Sequence, residues 1–273
     1  MKKKLFYPAL CLLALSVMIA CNKKDETYEP TYVLTSTSNT DNQVVDSFIY
    51  SSGARLAKYI HYNYASTGGS STLTENYTYD GQGRVSTIHA IYAHPSSTHE
   101  DDYNIVYERD SVRIFSNNPA KREMVRFGIQ NGLFSAYKVD LTWSNGNMHN
   151  DISFSYDGKN VNVITSKYNN TLSAMNIEYF DVKNPFYDLS SINPFVGMFL
   201  ELNAPNNGLI LPMFSPERLS PNAVKSVYGQ APYAYGFYYV IDAESRLPLH
   251  QIRVTSFQGR ETLDTVLYRY RGL

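Results

Sequence analysis

From Val44 onward the chain alternates apolar and polar residues in short stretches. "DISFSY" (Asp151 to Tyr156) sets Ile152, Phe154 and Tyr156 on one side, with Ser153 and Ser155 on the other. "DYNIVY" does the same with Tyr103, Ile105 and Tyr107. A period of two predicts half-buried antiparallel strands. The stretches are punctuated by tight-turn signals: "SSGA" (51–54), "DGQG" (80–83), "ERDS" (108–111), "QNG" (130–132), "SNGN" (144–147) and "DGKN" (157–160). Asp-Gly and Asn-Gly favour hairpins because they tolerate positive φ. Longer polar loops are expected at "STGGSST" (66–72), "HPSSTHEDD" (94–102) and "NNPAK" (117–121). The spacing leaves strands of roughly 8 to 10 residues. Successive turns alternate ends, so "DGQG", "ERDS", "QNG" and "DGKN" share one rim, and the longer loops with "SNGN" share the other. The expected fold is all-β: an antiparallel up-and-down meander of roughly 12 to 14 strands, forming a barrel-like or strongly curved sheet because an open one would leave long edges.

An internal repeat reinforces the meander. "NYTYDGQGRVSTI" (76–88) parallels "SFSYDGKNVNVI" (153–164) and, more loosely, "SFIYSSGARLAKY" (47–59) and "YYVIDAESRLPLH" (238–250). Gly83 aligns with Asn160, two residue types suited to the left-handed position that closes a turn into a bulge. Between about 183 and 228 the alternation stops in a Pro- and Asn-rich insertion, with one possible helix from Pro194 to Leu202 capped by Asn193. Such an insertion either plugs one opening of the sheet or packs as an ordinary excursion.

Lys2, Lys3 and Lys4 precede an apolar run ending at Ala20, the form of a secretory signal, too short for a spanning helix. Val17-Met18-Ile19-Ala20-Cys21 resembles the lipobox of bacterial lipoproteins, which implies acylation of Cys21 after removal of residues 1–20. "NKKDE" (22–26), through Lys23, Asp25 and Glu26, is similar to the signal that directs Bacteroidetes lipoproteins to the outer face of the outer membrane. Residues 21–43, rich in Thr, Ser and Asn, read as a flexible polar tether, leaving 44–273 as a single β domain. The net charge of −1 becomes more negative once the three signal lysines are gone, which disfavours a nucleic-acid partner. Cys11 and Cys21 are the two cysteines, so the folded part has no disulfide, thiol nucleophile or thiolate metal site. Lys and Arg inside strand-like stretches such as "SSGARLAKYIHYNY" argue against a lipid-facing wall.

The Tyr79-Asp80 and Gly83-Arg84-Val85 unit, with its copy at Tyr156-Asp157, is similar to the YD repeats of Rhs-type shell proteins. Together with the lipobox and the Asn-Pro-rich insertion, the mature chain resembles a family of uncharacterised Bacteroidetes lipoproteins with a porin-like antiparallel fold. The resemblance implies architecture and location, and supplies no catalytic residues.

Two groups of side chains invite chemistry. His89, His94, His99, Glu100, Asp101 and Asp102 offer zinc- or calcium-type ligands, with His94, His99, Asp101 and Asp102 the metal candidates, although a solvated loop is the expectation. The step from His89 to His94 would put those two on opposite faces of a strand. Trp143, Tyr233 and Tyr235 are the candidates for stacking on a sugar or clasping a peptide. Asp157 and Asp242 sit at expected turns, where capping a turn is the ordinary role. No His-Glu-x-x-His or Gly-x-Ser-x-Gly pattern occurs. The sequence thus points to an outer-membrane, lipid-anchored, surface-exposed lipoprotein that binds a glycan, peptide or envelope protein without catalysis or cofactor. A polysaccharide hydrolase or a purely structural envelope component is the alternative, and carboxylates facing each other across a cleft would favour the hydrolase.

Overall fold

The tight turns expected at 80–83, 108–111, 130–132 and 157–160 become hairpin corners in the computed structural model, which describes residues 32–272 apart from 52–54, 66–68, 118–122, 144–145, 169–170, 198–218, 230–232 and 258, so that most of the turns expected at 51–54 and 144–147 lies outside the described residues or at their edge. The strands are β1 (Tyr32–Ser38), β2 (Val44–Tyr50), β3 (Leu56–Ala65), β4 (Gly69–Tyr79), β5 (Val85–His94), β6 (Ser97–Tyr107), β7 (Ser111–Ser116) and β8 (Glu123–Gln130). They continue as β9 (Leu133–Trp143), β10 (Gly146–Asp157), β11 (Asn160–Tyr168), β12 (Thr171–Lys183), β13 (Asn222–Gly229), β14 (Tyr233–Ile241), β15 (Pro248–Phe257) and β16 (Arg260–Gly272). Every strand pairs antiparallel with its sequence neighbours, and β1 pairs with β16, so the sixteen strands close into a barrel. Closure satisfies the ladder groups that an open meander would leave exposed.

The strand count exceeds the expected 12 to 14, partly because β1 lies inside the segment read as tether. "YVLTSTS" carries little apolar character, and a register shift between Leu34 and Ser36 breaks its alternation, yet Tyr32 pairs with Gly272 and Tyr270 with Leu34. Its backbone closes the ladder, and that outweighs its polar side chains. The expected loop 94–102 is also shorter than it reads: Pro95 and Ser96 alone connect β5 to β6, and His99 to Asp102 belong to a strand.

The turns following β4, β6, β8 and β10 share one rim, as the alternation predicts, and β1 begins at the same end. At the first of these, Gly83 N–H donates to the Asp80 carbonyl at 3.0 Å and Gly83 takes φ +80°, the left-handed position of a bulged type I turn. The copy at 157–160 is built differently. Asp157 pairs with Asn160, and Gly158, not Asn160, carries the positive φ of +61°. One residue fewer in the loop moves the strained position forward.

The apolar positions face inward. Leu56, Tyr59, Ile88, Ile114, Phe127, Tyr137, Ile152 and Ile164 are fully buried and belong to one continuous core. The alternate positions face out and are polar over most of the wall: Thr72, Thr74, Asn76 and Thr78 on β4; Glu100, Asp102 and Asn104 on β6; Ser153 and Ser155 on β10.

Candidate functional site: a plugged lumen

The repeating Tyr is the first element of the site. A β-bulge leaves one residue out of the ladder and its carbonyl in need of a donor. Five carbonyls beside such bulges at the tight-turn end each receive a tyrosine hydroxyl from the adjacent strand that follows in sequence. Tyr50 donates to Leu34 O at 2.8 Å, Tyr79 to Leu56 O at 2.6 Å and Tyr156 to Phe134 O at 2.7 Å. Tyr179 donates to Val161 O at 2.5 Å and Tyr270 to Pro248 O at 2.9 Å. All five acceptors sit at register shifts. The repeating Tyr, followed by Asp at 79–80 and 156–157, thus contributes two members to an inner set of five hydroxyl-capped bulges. Its Asp works outside the ring: Asp80 Oδ1 accepts from Gln82 N–H and Arg84 N–H, both at 2.9 Å, and Oδ2 takes both Nε and Nη2 of Arg84. The Arg84 backbone bond, helped by the guanidinium, holds the Asp80 carboxyl below its usual range. Asp242 fills the expected turn-capping role, accepting from Glu244 N–H, Ser245 N–H and Ser245 Oγ.

The insertion between β12 and β13 enters the lumen from this same end. Its two ends are sewn together by Asn184, whose N–H donates to Pro221 O at 2.8 Å and whose side chain donates to Ser220 O at 2.6 Å. The one described helix of the insertion, α1, spans Tyr187–Ile192, before rather than after Asn193. Asn193 terminates it instead of starting the expected 194–202 helix, and its Oδ1 accepts from Phe195 N–H at 3.0 Å to open the next turn. Residues 198–202 of that expectation lie outside the described residues. Phe195 is 0% exposed and its ring lies 5.9 Å from that of Phe127. One step on, Gly197 N–H donates to Glu75 Oε2 at 2.9 Å, and the Tyr77 hydroxyl donates to the same oxygen. Glu75 is fully buried four residues, or about 13 Å, in from the Tyr79 end of β4. A buried carboxylate is tolerated when donors surround it, and here it fastens the inserted segment to the wall.

A third feature is an inward polar cluster on β1 to β3. Asp46 Oδ1 accepts from the Tyr59 hydroxyl at 2.6 Å and meets His61 Nδ1 at 2.9 Å, while Oδ2 accepts from Thr37 Oγ1 at 2.5 Å. Burial pushes the Asp46 carboxyl up, but the bonds from His61, Thr37 and Tyr59 outweigh it, and the net shift is downward. Asp46→Ala leaves two hydroxyls and an imidazole without their acceptor and should cost about 2 to 3 kcal/mol in urea unfolding at pH 7. Because the folded carboxyl titrates below its unfolded value of about 3.8, its contribution is complete above that pH and is lost as pH falls further. Wild type should therefore lose more stability than Asp46→Asn as the pH is lowered from about 5 to about 3.

The sequence candidates separate on the wall. Asp101 pairs with Ala90 on the inner side, where its Oδ2 meets His99 Nε2 at 2.9 Å and the Tyr103 hydroxyl at 3.2 Å. Asp102 pairs with His89 on the outer side, at 2.7 Å from His89 Nδ1. His94 contacts Ser96 Oγ at 2.7 Å. His89 and His94 thus fall on opposite faces, and among the described residues no three potential ligands converge on one point. Trp143 ends β9 opposite Gly146, and Tyr233 opens β14 opposite Phe257, both at the long-loop rim. Tyr235 is half-buried against the core. Cys21 lies outside the described residues. Asp46, Glu75 and the tyrosine ring were not singled out by sequence, although the recurrence of Tyr before the turns at 50, 79, 107 and 156 was there to be read.

No family model matches the chain, and no curated protein matches it in sequence. Among solved structures it is similar to a porin-like protein from Bacteroides uniformis ATCC 8492, with 12% identity and a TM-score of 0.44 over 79% of this chain and 97% of that one. It is also similar to a porin-like protein from Bacteroides vulgatus ATCC 8482, with 11% identity and a TM-score of 0.37 over 88% of this chain and 100% of that one.

Proposed function

We propose that this protein is a non-enzymatic outer-membrane lipoprotein of the cell surface, held by acyl chains on Cys21, whose barrel presents its long-loop rim to a glycan or a neighbouring envelope protein. The observation that carries the reading is the direction of its polarity. A lipid-spanning barrel carries an apolar band outside and, when it conducts, a polar lumen. Here Thr72, Thr74, Asn76 and Thr78 on β4 and Glu100, Asp102 and Asn104 on β6 face out, while Phe127, Tyr137 and Phe195 fill the inside. Such a wall belongs in water, so membrane residence calls for a separate anchor, and the Cys21 lipobox supplies one. The insertion fastened to Glu75 argues against a conducting pore, and it removes Glu75 as a carboxylate for the hydrolase reading, since an acid sealed under Gly197 cannot reach a sugar.

Cys21→Ser is expected to abolish acyl labelling and to let a high-salt wash move the protein from the membrane to the soluble fraction, where it should stay monodisperse without detergent. Unchanged labelling would refute the anchor, and a detergent requirement would point to a spanning wall. Protease added to whole cells should cleave the wild-type protein. A glycan array and an envelope pull-down with the mature chain test the binding role, and silence in both would leave the purely structural alternative.

A further inference from the structure

The wall from β14 to β16 departs from the polar pattern outside. Tyr238, Val240, Ile252 and Leu263 expose 63%, 50%, 37% and 73% of their surface. Register joins them into one field: Tyr238 lies opposite Ile252, and Val254 lies opposite Leu263. The outward positions of β16 run Glu261, Leu263, Thr265, Leu267, Arg269 and Arg271, so the strand ends in two arginines at the tight-turn end. Arg246, in the turn between β14 and β15, adds a third exposed cation at that end. None of the three forms an ion pair among the described residues, although Glu244 lies two residues from Arg246 and Asp264 five residues from Arg269.

What covers this field is constrained by its size, its charge and its place. It extends about 13 Å along the strands and about 15 Å across three of them, roughly 200 Å². A stable second copy would call for about 800 Å² on each partner. Apolar side chains with an aromatic ring, edged by arginines, match instead the boundary between acyl chains and anionic headgroups. The chain as a whole carries a formal net charge of −1, so a cluster of unpaired arginines at one edge is a local reversal of sign. The place agrees: β1, which leads back toward Cys21, begins at Tyr32 opposite Gly272 of β16. Ten residues, Asn22 to Thr31, separate Cys21 from β1, which bounds their separation at about 35 Å whatever path the chain takes.

We infer that the outer face of β14 to β16 rests on the anionic lipid surface that carries the Cys21 anchor, with Tyr238, Ile252 and Leu263 at the acyl boundary and Arg246, Arg269 and Arg271 at the phosphates. The inference builds on the anchored reading above. The barrel then lies on this wall, and its polar wall faces away from the lipid.

The test uses the mature chain with Cys21→Ser, which has no acyl chain, in co-sedimentation with phosphatidylcholine vesicles with and without phosphatidylglycerol. Binding is expected to the anionic vesicles, to weaken with salt, and to fall by roughly tenfold in Leu263→Asp with Tyr238→Asp and in Arg269→Glu with Arg271→Glu. These side chains point into solvent, so circular dichroism should be unchanged, and Thr74→Asp on the polar outer face of β4, five strands from β15, should bind as wild type. Absence of vesicle binding, or binding indifferent to both pairs, overturns the inference. A dimer in light scattering that Leu263→Asp breaks also overturns it, in favour of a second copy. Because no acyl chain takes part, these failures are separate from failure of Cys21 labelling, which would refute the anchor alone.

Discussion

Phe195→Ala is expected to destabilise the barrel by about 3 to 5 kcal/mol, the cost of truncating a fully buried aromatic ring. In a domain of this size that is a fall in Tm of roughly 10 °C or more. Phe195 is 0% exposed and its ring meets Phe127, which in turn meets Phe134 at 5.4 Å and Tyr137 at 5.9 Å. Those partners come from β8 and β9, so the ring ties the insertion to the wall across the lumen. Removing it costs both the transfer of the ring and the void among rings that cannot collapse, because their backbones are fixed by ladders on both sides. The matched control is Leu263→Ala, a large residue 73% exposed on the outer face, where the change should stay within about 0.5 kcal/mol. Urea unfolding of the two variants separates the alternatives: equal, small effects would mean that the insertion does not help to build the core.

The corners of the barrel were legible because Asp-Gly and Asn-Gly announce positive φ locally, within four residues. What depended on partners far along the chain was not. β1 reads as tether because its ladder partner, β16, lies at the other end of the sequence, with Thr35 Oγ1 bonding Arg269 O across 234 positions. Glu75 and Gly197 are 122 residues apart, and nothing near either signals the bond between them. The first half of β6 reads as loop because it rises into solvent at the long-loop rim. There both faces are wet and the period-two contrast vanishes, as in the exposed run Ser97 to Glu100. Asn193 before Pro194 imitates a helix start, yet the same side chain, accepting from Phe195 N–H, makes the turn after a helix. The tyrosine repeat lies between these cases: visible as a pattern, but interpretable only with the register, since each hydroxyl reaches a carbonyl 16 to 23 residues earlier.

Raising the pH beyond about 10 is expected to unfold this barrel, and to do so steeply. A free phenol titrates near 10. Burial pushes Tyr79, Tyr107 and Tyr156 up to about 12, and it also raises Tyr50, Tyr179 and Tyr270. The folded state keeps these protons while the unfolded chain would release them, so the stability they contribute is complete below pH 10 and is lost as the pH climbs through about 12. The chemistry behind the sign is plain at each bulge: a hydroxyl donates to the carbonyl, whereas a phenolate would press a second negative oxygen against it. Several rings acting together release several protons in one transition, which makes the loss steep. Tyrosinate absorbance and the strand signal in circular dichroism, followed on one sample, should change together. Tyr79→Phe combined with Tyr156→Phe should cost about 1 kcal/mol per site at neutral pH and flatten the alkaline slope. If the tyrosines instead ionise gradually around pH 10 with the strands intact, the hydroxyls do not cap the bulges, and the repeat that supplies them has another purpose.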